Sequence, residues 1–113
     1  MLPKSSRLNL KKDFKWVAGG EKVENELLKV FWRSGQNPLP RLGIAVSSTT
    51  FKKAVQRNRA RRLVSSGFEF LYSQLLPHLN LIAFPKEGVL KISSKELRKT
   101  LENLLREVKL LNL

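Results

Sequence analysis

The sequence predicts an α/β sandwich, a small mixed sheet of about four strands packed with three helices in the order αβββαβα. Three observations predict it. Apolar residues recur at helical spacing in three separate stretches, near 10–18, 51–76 and 93–108. Between them stand short strand-like runs, ELLKVFWR at 26–33, RLGIAVS at 41–47 and LNLIAF at 79–84. The last of these follows the long central helix, and a helical crossover joins strands that run parallel. At 113 residues the chain is one domain, 1–113, with a single modest core.

The elements follow in order. Residues 1–8 read as a basic, flexible arm. Asn9 is placed to cap a short helix at 10–18, where Leu10, Phe14, Val17 and Ala18 share a face, and Gly19-Gly20 ends it. Two or three strands come next. In 26–33, Leu28, Val30 and Trp32 point one way and Lys29, Phe31 and Arg33 the other. Ser34-Gly35-Gln36-Asn37-Pro38 is a turn cluster and suggests a hairpin into 41–47. There Leu42, Ile44 and Val46 share one face; Gly43, Ala45 and Ser47 make the other low, with room above it. The long helix at 51–76 carries Ala60, Leu63, Val64, Phe68, Leu71 and Leu75 as its apolar stripe, and Pro77 stops it. After the strand at 79–84, Ser93-Ser94-Lys95-Glu96 is a capping box. It opens a last helix whose Leu97, Leu101, Leu104, Leu105 and Val108 face the core.

Composition excludes several function classes. The chain has no Cys and one His, so disulfides, thiolate metal sites and the common histidine zinc sites are ruled out. No phosphate-loop, dinucleotide or zinc-protease motif occurs, and His78 follows a helix-breaking Pro as a loop residue. The carboxylates read as turn and helix-surface charges, so the protein itself carries no catalytic residues. With no signal-peptide pattern and no long apolar run, the chain is expected to be cytoplasmic.

What remains is charge. The formal net charge is +13. From Leu27 to Phe68 there is no Asp or Glu, while Lys29, Arg33, Arg41, Lys52, Lys53, Arg57, Arg59, Arg61 and Arg62 all fall there. A merely soluble surface mixes its signs; a single-sign block is the footprint of a polyanion partner. The run KKAVQRNRARRLV at 52–64 breaks two local rules at once. Like charges sit one helical turn apart, and cations crowd a helix N-terminus, where the dipole disfavours them. Phosphate would reverse both penalties. Anionic membrane also supplies phosphate, but this helix has no spare apolar face with which to enter one.

The strand ELLKVFWR adds a second signal. Lys29, Phe31 and Arg33 place cation, aromatic and cation along one face, the arrangement by which a sheet holds single-stranded nucleic acid. Phe31 could equally be core. Trp32 shares its face with Leu28 and Val30 and is read as core. Phe14 is either core or a wall of the groove; Trp16, among Lys11, Lys12 and Lys15, falls off the apolar stripe toward solvent.

Lys53-Ala54-Val55-Gln56-Arg57-Asn58-Arg59-Ala60-Arg61-Arg62-Leu63-Val64 resembles the R-N-R signature of the bacterial ribonuclease P protein subunit. Arg41-Leu42-Gly43-Ile44-Ala45-Val46-Ser47 resembles that family's preceding strand, and Arg7-Leu8 with Asp13-Phe14 its N-terminal pattern. The resemblance runs from about residue 7 to about 110. It implies a protein cofactor of a catalytic RNA that removes the 5′ leader of precursor tRNA, with the RNA supplying the active site and its Mg2+. It implies no cofactor bound by the protein alone and no obligate protein partner. Lys52, Lys53, Arg57, Asn58, Arg59, Arg61 and Arg62 would then contact the RNA subunit. Phe14, Trp16, Lys29, Phe31, Arg33 and Lys12 would line the leader cleft between the first helix and the sheet. The crossover around the R-N-R helix would be left-handed, against the usual rule. The sequence departs from the family at Ser48-Thr49, where Lys-Lys is usual, at Ala18, where a second aromatic often stands, at Ser65-Ser66, and at Ala83-Phe84, where Ala-Arg is usual. A ribosomal or general RNA-binding protein is the competing reading.

Overall fold

A computed structural model describes residues 2–112 of the chain. The first helix, α1 (Leu10–Ala18), starts where the sequence places it: the Asn9 Oδ1 accepts the Lys12 N–H at 3.3 Å. It stops at the two glycines, whose N–H groups bond back to Lys15 O and Val17 O.

Four strands follow, β1 (Glu21–Glu24), β2 (Leu28–Ser34), β3 (Arg41–Ile44) and β4 (Leu79–Pro85), in the spatial order β1-β2-β4-β3. The β1–β2 and β2–β4 pairs are antiparallel and β3 runs parallel to β4. This is the mixed four-stranded sheet expected, with two corrections to its wiring. The hairpin lies between β1 and β2, not across 34–38. Its turn is held by Asn25, whose Oδ1 accepts the N–H groups of Leu27 (2.9 Å) and Leu28 (2.8 Å). Glu21-Lys22-Val23-Glu24 gives no apolar alternation because β1 is a largely exposed edge, so no periodicity announced it. The 34–38 segment instead carries the chain past the start of β4 to the far edge. The strand expected over 41–47 is also shorter, ending at Ile44.

The long helix, α2 (Ala54–Leu71), spans less than the expected 51–76. Phe51 is buried just ahead of it, residues 72–74 tighten into a 3-10 turn, and Leu75 bridges to Leu111. The helix therefore ends well before Pro77. The last helix, α3 (Ser94–Glu107), begins at the expected capping box, with the Ser93 Oγ accepting the Glu96 N–H at 3.2 Å.

The sheet divides the protein into two layers. Leu28, Val30, Leu42, Leu81 and Ala83 face α2 and α3, meeting Ala60, Val64, Phe68, Leu97, Leu101 and Leu105 in the main core. Trp32 packs against this core, as its face predicts. On the other side α1 covers Ile82 with Val17 and Leu10. Leu101 has no exposed surface. Leu101→Ala is expected to cost about 2–5 kcal/mol, read as a fall in the denaturant midpoint with unchanged slope.

The N-terminal segment is not the loose arm expected. Leu2 and Leu8 are buried, the Leu8 N–H bonds to Leu42 O (2.9 Å), and the Ser6 hydroxyl donates to the Tyr72 hydroxyl (3.0 Å). Tyr72 in turn donates to Pro40 O at 2.7 Å. Leu2 and Leu8, at either end of a basic run, hold it to the body. Met1, part of that expected arm, lies outside the described residues.

At the opposite edge Lys86 joins the hairpin to the end of β4. Its Nζ lies 2.6 Å from a Glu24 carboxylate oxygen and donates to Asn25 O at 2.7 Å. This bond, and the Lys86 charge with it, holds the Glu24 carboxyl below the usual range.

Candidate nucleic-acid interface

The basic run of the sequence becomes the first turns of α2. Lys53 is the N-cap, and its backbone N–H donates to Gln56 Oε1 at 3.3 Å. Lys52, Lys53, Asn58, Arg59, Arg61 and Arg62 are exposed. Arg61 Nη1 donates to Asn58 Oδ1 at 3.2 Å, within the same helix face. Among the described residues the ion pairs are Lys86–Glu24 and Arg106–Glu102, and neither involves a guanidinium of this helix. The like charges stay concentrated and face open surface.

Arg57 differs from its neighbours. It is half-buried, and its Nη1 donates to Phe51 O (2.8 Å) and Lys52 O (3.2 Å). Part of this guanidinium braces the loop that delivers the chain into α2. Beside it, a cleft of about 850 Å3 opens between α2, β3 and the N-terminal segment. Arg7, Asn58, Arg61 and Arg62 stand around it, over Leu8, Leu10 and Leu42.

The second set of residues lies on the sheet face under α1. Register pairs Lys29 with Phe84, Phe31 with Ile82 and Arg33 with Asn80 across β2 and β4. Ile82 is covered by α1. The low face at Gly43 is covered too: a Cβ there would stand 2.6 Å from Leu10 Cδ2. The room expected above Gly43 is thus the seat of the helix, not a groove. The open part of the face lies beyond, where Phe84 meets both Phe14 (centroids 5.9 Å apart) and Phe31 (5.6 Å) edge to face. Lys29 Nζ lies 5.1 Å from the Phe31 ring centre. Phe14 is 37% exposed and Phe31 and Phe84 are partly exposed, so three rings and a cation share one shallow wall. Sequence reasoning missed Phe84, yet its signal was available. In LNLIAF, Asn80, Ile82 and Phe84 alternate onto one face, and antiparallel pairing sets Phe84 beside Lys29.

The six residues expected to line one cleft divide between the two flanks of α1. Phe14, Phe31 and Lys29 come together with Phe84. Trp16 turns the other way: its ring carries the Arg33 guanidinium 5.1 Å from its centre, and Arg33 Nη1 donates to Trp16 O at 3.1 Å. Lys12 and Trp16 line a separate recess with Gly35, Asn37, Arg41 and Asn80. The division follows from helical geometry, because positions 14 and 16 are about 200° apart around a helix. Among the described residues no group of three or more His, Cys, Asp or Glu side chains is placed to hold a metal ion, and no helix is long and apolar enough to cross a membrane.

Comparison with known proteins bears on the family and the fold. The sequence model of the family described as Ribonuclease P matches residues 2–109. The Ribonuclease P protein component of Nitrosococcus oceani is 35% identical over 91 residues, 80% of this chain and 76% of that protein. The corresponding protein of Pseudoalteromonas atlantica is 39% identical over 70 residues, 62% of this chain and 58% of its own length. Among solved structures, the RNase P protein of Thermotoga maritima, in complex with 1-(4-fluorophenyl)-2-thiourea, superposes with a TM-score of 0.79 at 28% identity, covering 88% of this chain and 96% of that one. The Staphylococcus aureus RNase P protein gives 0.83 at 25% identity, with 96% and 100% covered.

Proposed function

The chain belongs to the bacterial ribonuclease P protein family, and from that premise we propose that it binds the catalytic RNA of ribonuclease P through α2 and holds the single-stranded 5′ leader of precursor tRNA on the aromatic wall beside α1. The observation that carries this reading is the open arginine cluster at the start of α2, set apart from a second surface of three partly exposed rings and a lysine. The two surfaces suit two RNA forms. A structured RNA presents closely spaced phosphates to a rigid helix face, where guanidinium forks engage them. An unpaired strand presents bases, and Phe14, Phe31 and Phe84 offer π-faces and edges while Lys29 meets the backbone.

The chemistry then belongs to the RNA, with Mg2+ held by it. The protein's own residues bind and orient: the α2 cations lower the repulsion between two polyanions, and the aromatic wall fixes the leader's direction relative to the RNA subunit. Purified protein added to the catalytic RNA and precursor tRNA at low Mg2+ is expected to accelerate leader cleavage over the RNA alone. No acceleration, with RNA binding intact, would instead favour a general RNA-binding role.

A further inference from the structure

We propose that the recess on the far flank of α1 is a second site for an unpaired RNA nucleotide, with Trp16 as its stacking surface and Asn80 as a base-reading group. The inference rests on the RNA-binding reading above but concerns residues outside the aromatic wall and outside α2.

Asn80 is the strongest pointer. It is 3% exposed, yet it lines a recess of about 680 Å3, a size that suits a small ligand. The orientation of its amide is fixed by its neighbours. Nδ2 donates to Asn37 Oδ1 (2.9 Å) and Arg33 O (3.3 Å). Asn37 cannot be reversed to accommodate a flip, because its own Nδ2 donates to Leu39 O (2.7 Å) and Leu79 O (3.2 Å). Asn80 Oδ1 is therefore left outside this network, with no hydrogen-bond partner among the described residues. No side-chain nitrogen or oxygen among the described residues is both fully buried and unsatisfied, so this oxygen keeps some solvent contact, and Asn80 lines the recess. A carbonyl oxygen there accepts from a base N–H.

Trp16 supplies the platform. The residue is 40% exposed, and Arg33, tethered to Trp16 O, packs its guanidinium on the ring. A fixed ring loses little conformational freedom when a base stacks on it. Lys12 and Arg41 stand at the same recess, against one carboxylate, Asp13.

The loop is built around this arrangement. A Cβ at Gly35 would lie 2.8 Å from Asn80 Nδ2, 2.9 Å from Asn37 Oδ1 and 3.1 Å from Trp16 Cη2. Only glycine lets the loop backbone come this close. His78, at φ 69°, anchors the same loop, with its carbonyl accepting the Gly35 N–H (2.8 Å) and its Nδ1 2.6 Å from Asn37 O.

Asn80 and Phe84 are four residues apart on β4, so the recess and the aromatic wall are separated by roughly 13 Å. Val17 of α1 covers Ile82 between them. The two are distinct sites, on opposite sides of one helix.

The test uses the full chain and a short single-stranded oligoribonucleotide. In a Trp32→Phe background, Trp16 is the only tryptophan, and saturating RNA is expected to quench its emission. In the native background, Trp16→Leu should weaken binding of the same strand about tenfold, and Arg41→Gln should lower the salt slope by about 0.7. An abasic strand should bind the parent and Trp16→Leu alike. Quenching should persist when Phe31→Ala disables the aromatic wall. RNA binding that leaves Trp16 emission unchanged, or equal affinity of parent and Trp16→Leu for the base-bearing strand, would overturn the proposal, as would equal quenching by an acidic peptide. Leader cleavage is read separately: its failure to respond to the protein removes the ribonuclease P assignment while Trp16 quenching still reports this site.

Discussion

Replacing Arg59, Arg61 and Arg62 together by glutamine is expected to weaken binding to the catalytic RNA by about 10²–10³-fold at 0.1 M salt. Each phosphate that a guanidinium no longer neutralises takes roughly 0.7–0.9 from the slope of log affinity against log salt. The triple replacement thus flattens that slope by about two to three, and the variant and parent converge toward 1 M salt. The fold should not suffer, because all three side chains are exposed, and the one hydrogen bond among them joins Arg61 to Asn58 on the same helix. Relief of like-charge repulsion at the helix start should even raise stability by a few tenths of a kcal/mol per pair. Weaker binding together with a more stable protein is the signature of charge placed for a partner. Arg57 is left out because its bonds to Phe51 O and Lys52 O mix folding into the readout. Titration of affinity against salt makes the measurement; an unchanged slope removes this helix face from the RNA contact.

Periodicity and charge made much of this legible in the sequence. The apolar stripes at 60–71 and 97–105 are strongly periodic, so their burial followed directly. Asn9 and Ser93 announced two helix starts because capping is local chemistry. The arginine cluster was readable for the same reason: like-charge crowding is a local penalty written in the spacing, and the structure leaves those side chains exposed. What failed to show were long-range facts. The partner of β2 is fixed by the Asn25 turn and by the position of β4, neither of which a turn cluster at 34–38 reveals. β1 carries charge on an exposed edge and has no pattern to read. A sequence shows Phe14 and Trp16 as near neighbours, whereas the helix sends them to opposite flanks. The charge of the N-terminal segment points to a loose arm, whereas its two leucines, Leu2 and Leu8, bind it to the core.

Phe84 is where these threads meet, and its replacement should separate stacking from charge. The usual family pattern has Arg after Ala at the end of this strand and often an aromatic at the position of Ala18. Here Ala18 leaves α1 without that second ring, and Phe84 supplies one from β4, in contact with both Phe14 and Phe31. Phe84→Ala removes both edge contacts and should weaken binding of leader-bearing precursor tRNA by about 5- to 100-fold, the worth of one stacked base. Precursor with no leader should be bound as before, since the α2 surface is untouched. Phe84→Arg should restore part of the affinity at low salt but not at high salt, steepening the salt slope by about 0.7. Affinities for long-leader and leaderless substrates, each measured across salt, read both effects at once. Equal weakening on the two substrates would place Phe84 in the packing of α1 on the sheet and not in the path of the leader. A leader-specific defect that Arg rescues only at low salt would mean that this chain holds its leader by ring contact where the family pattern offers a charge.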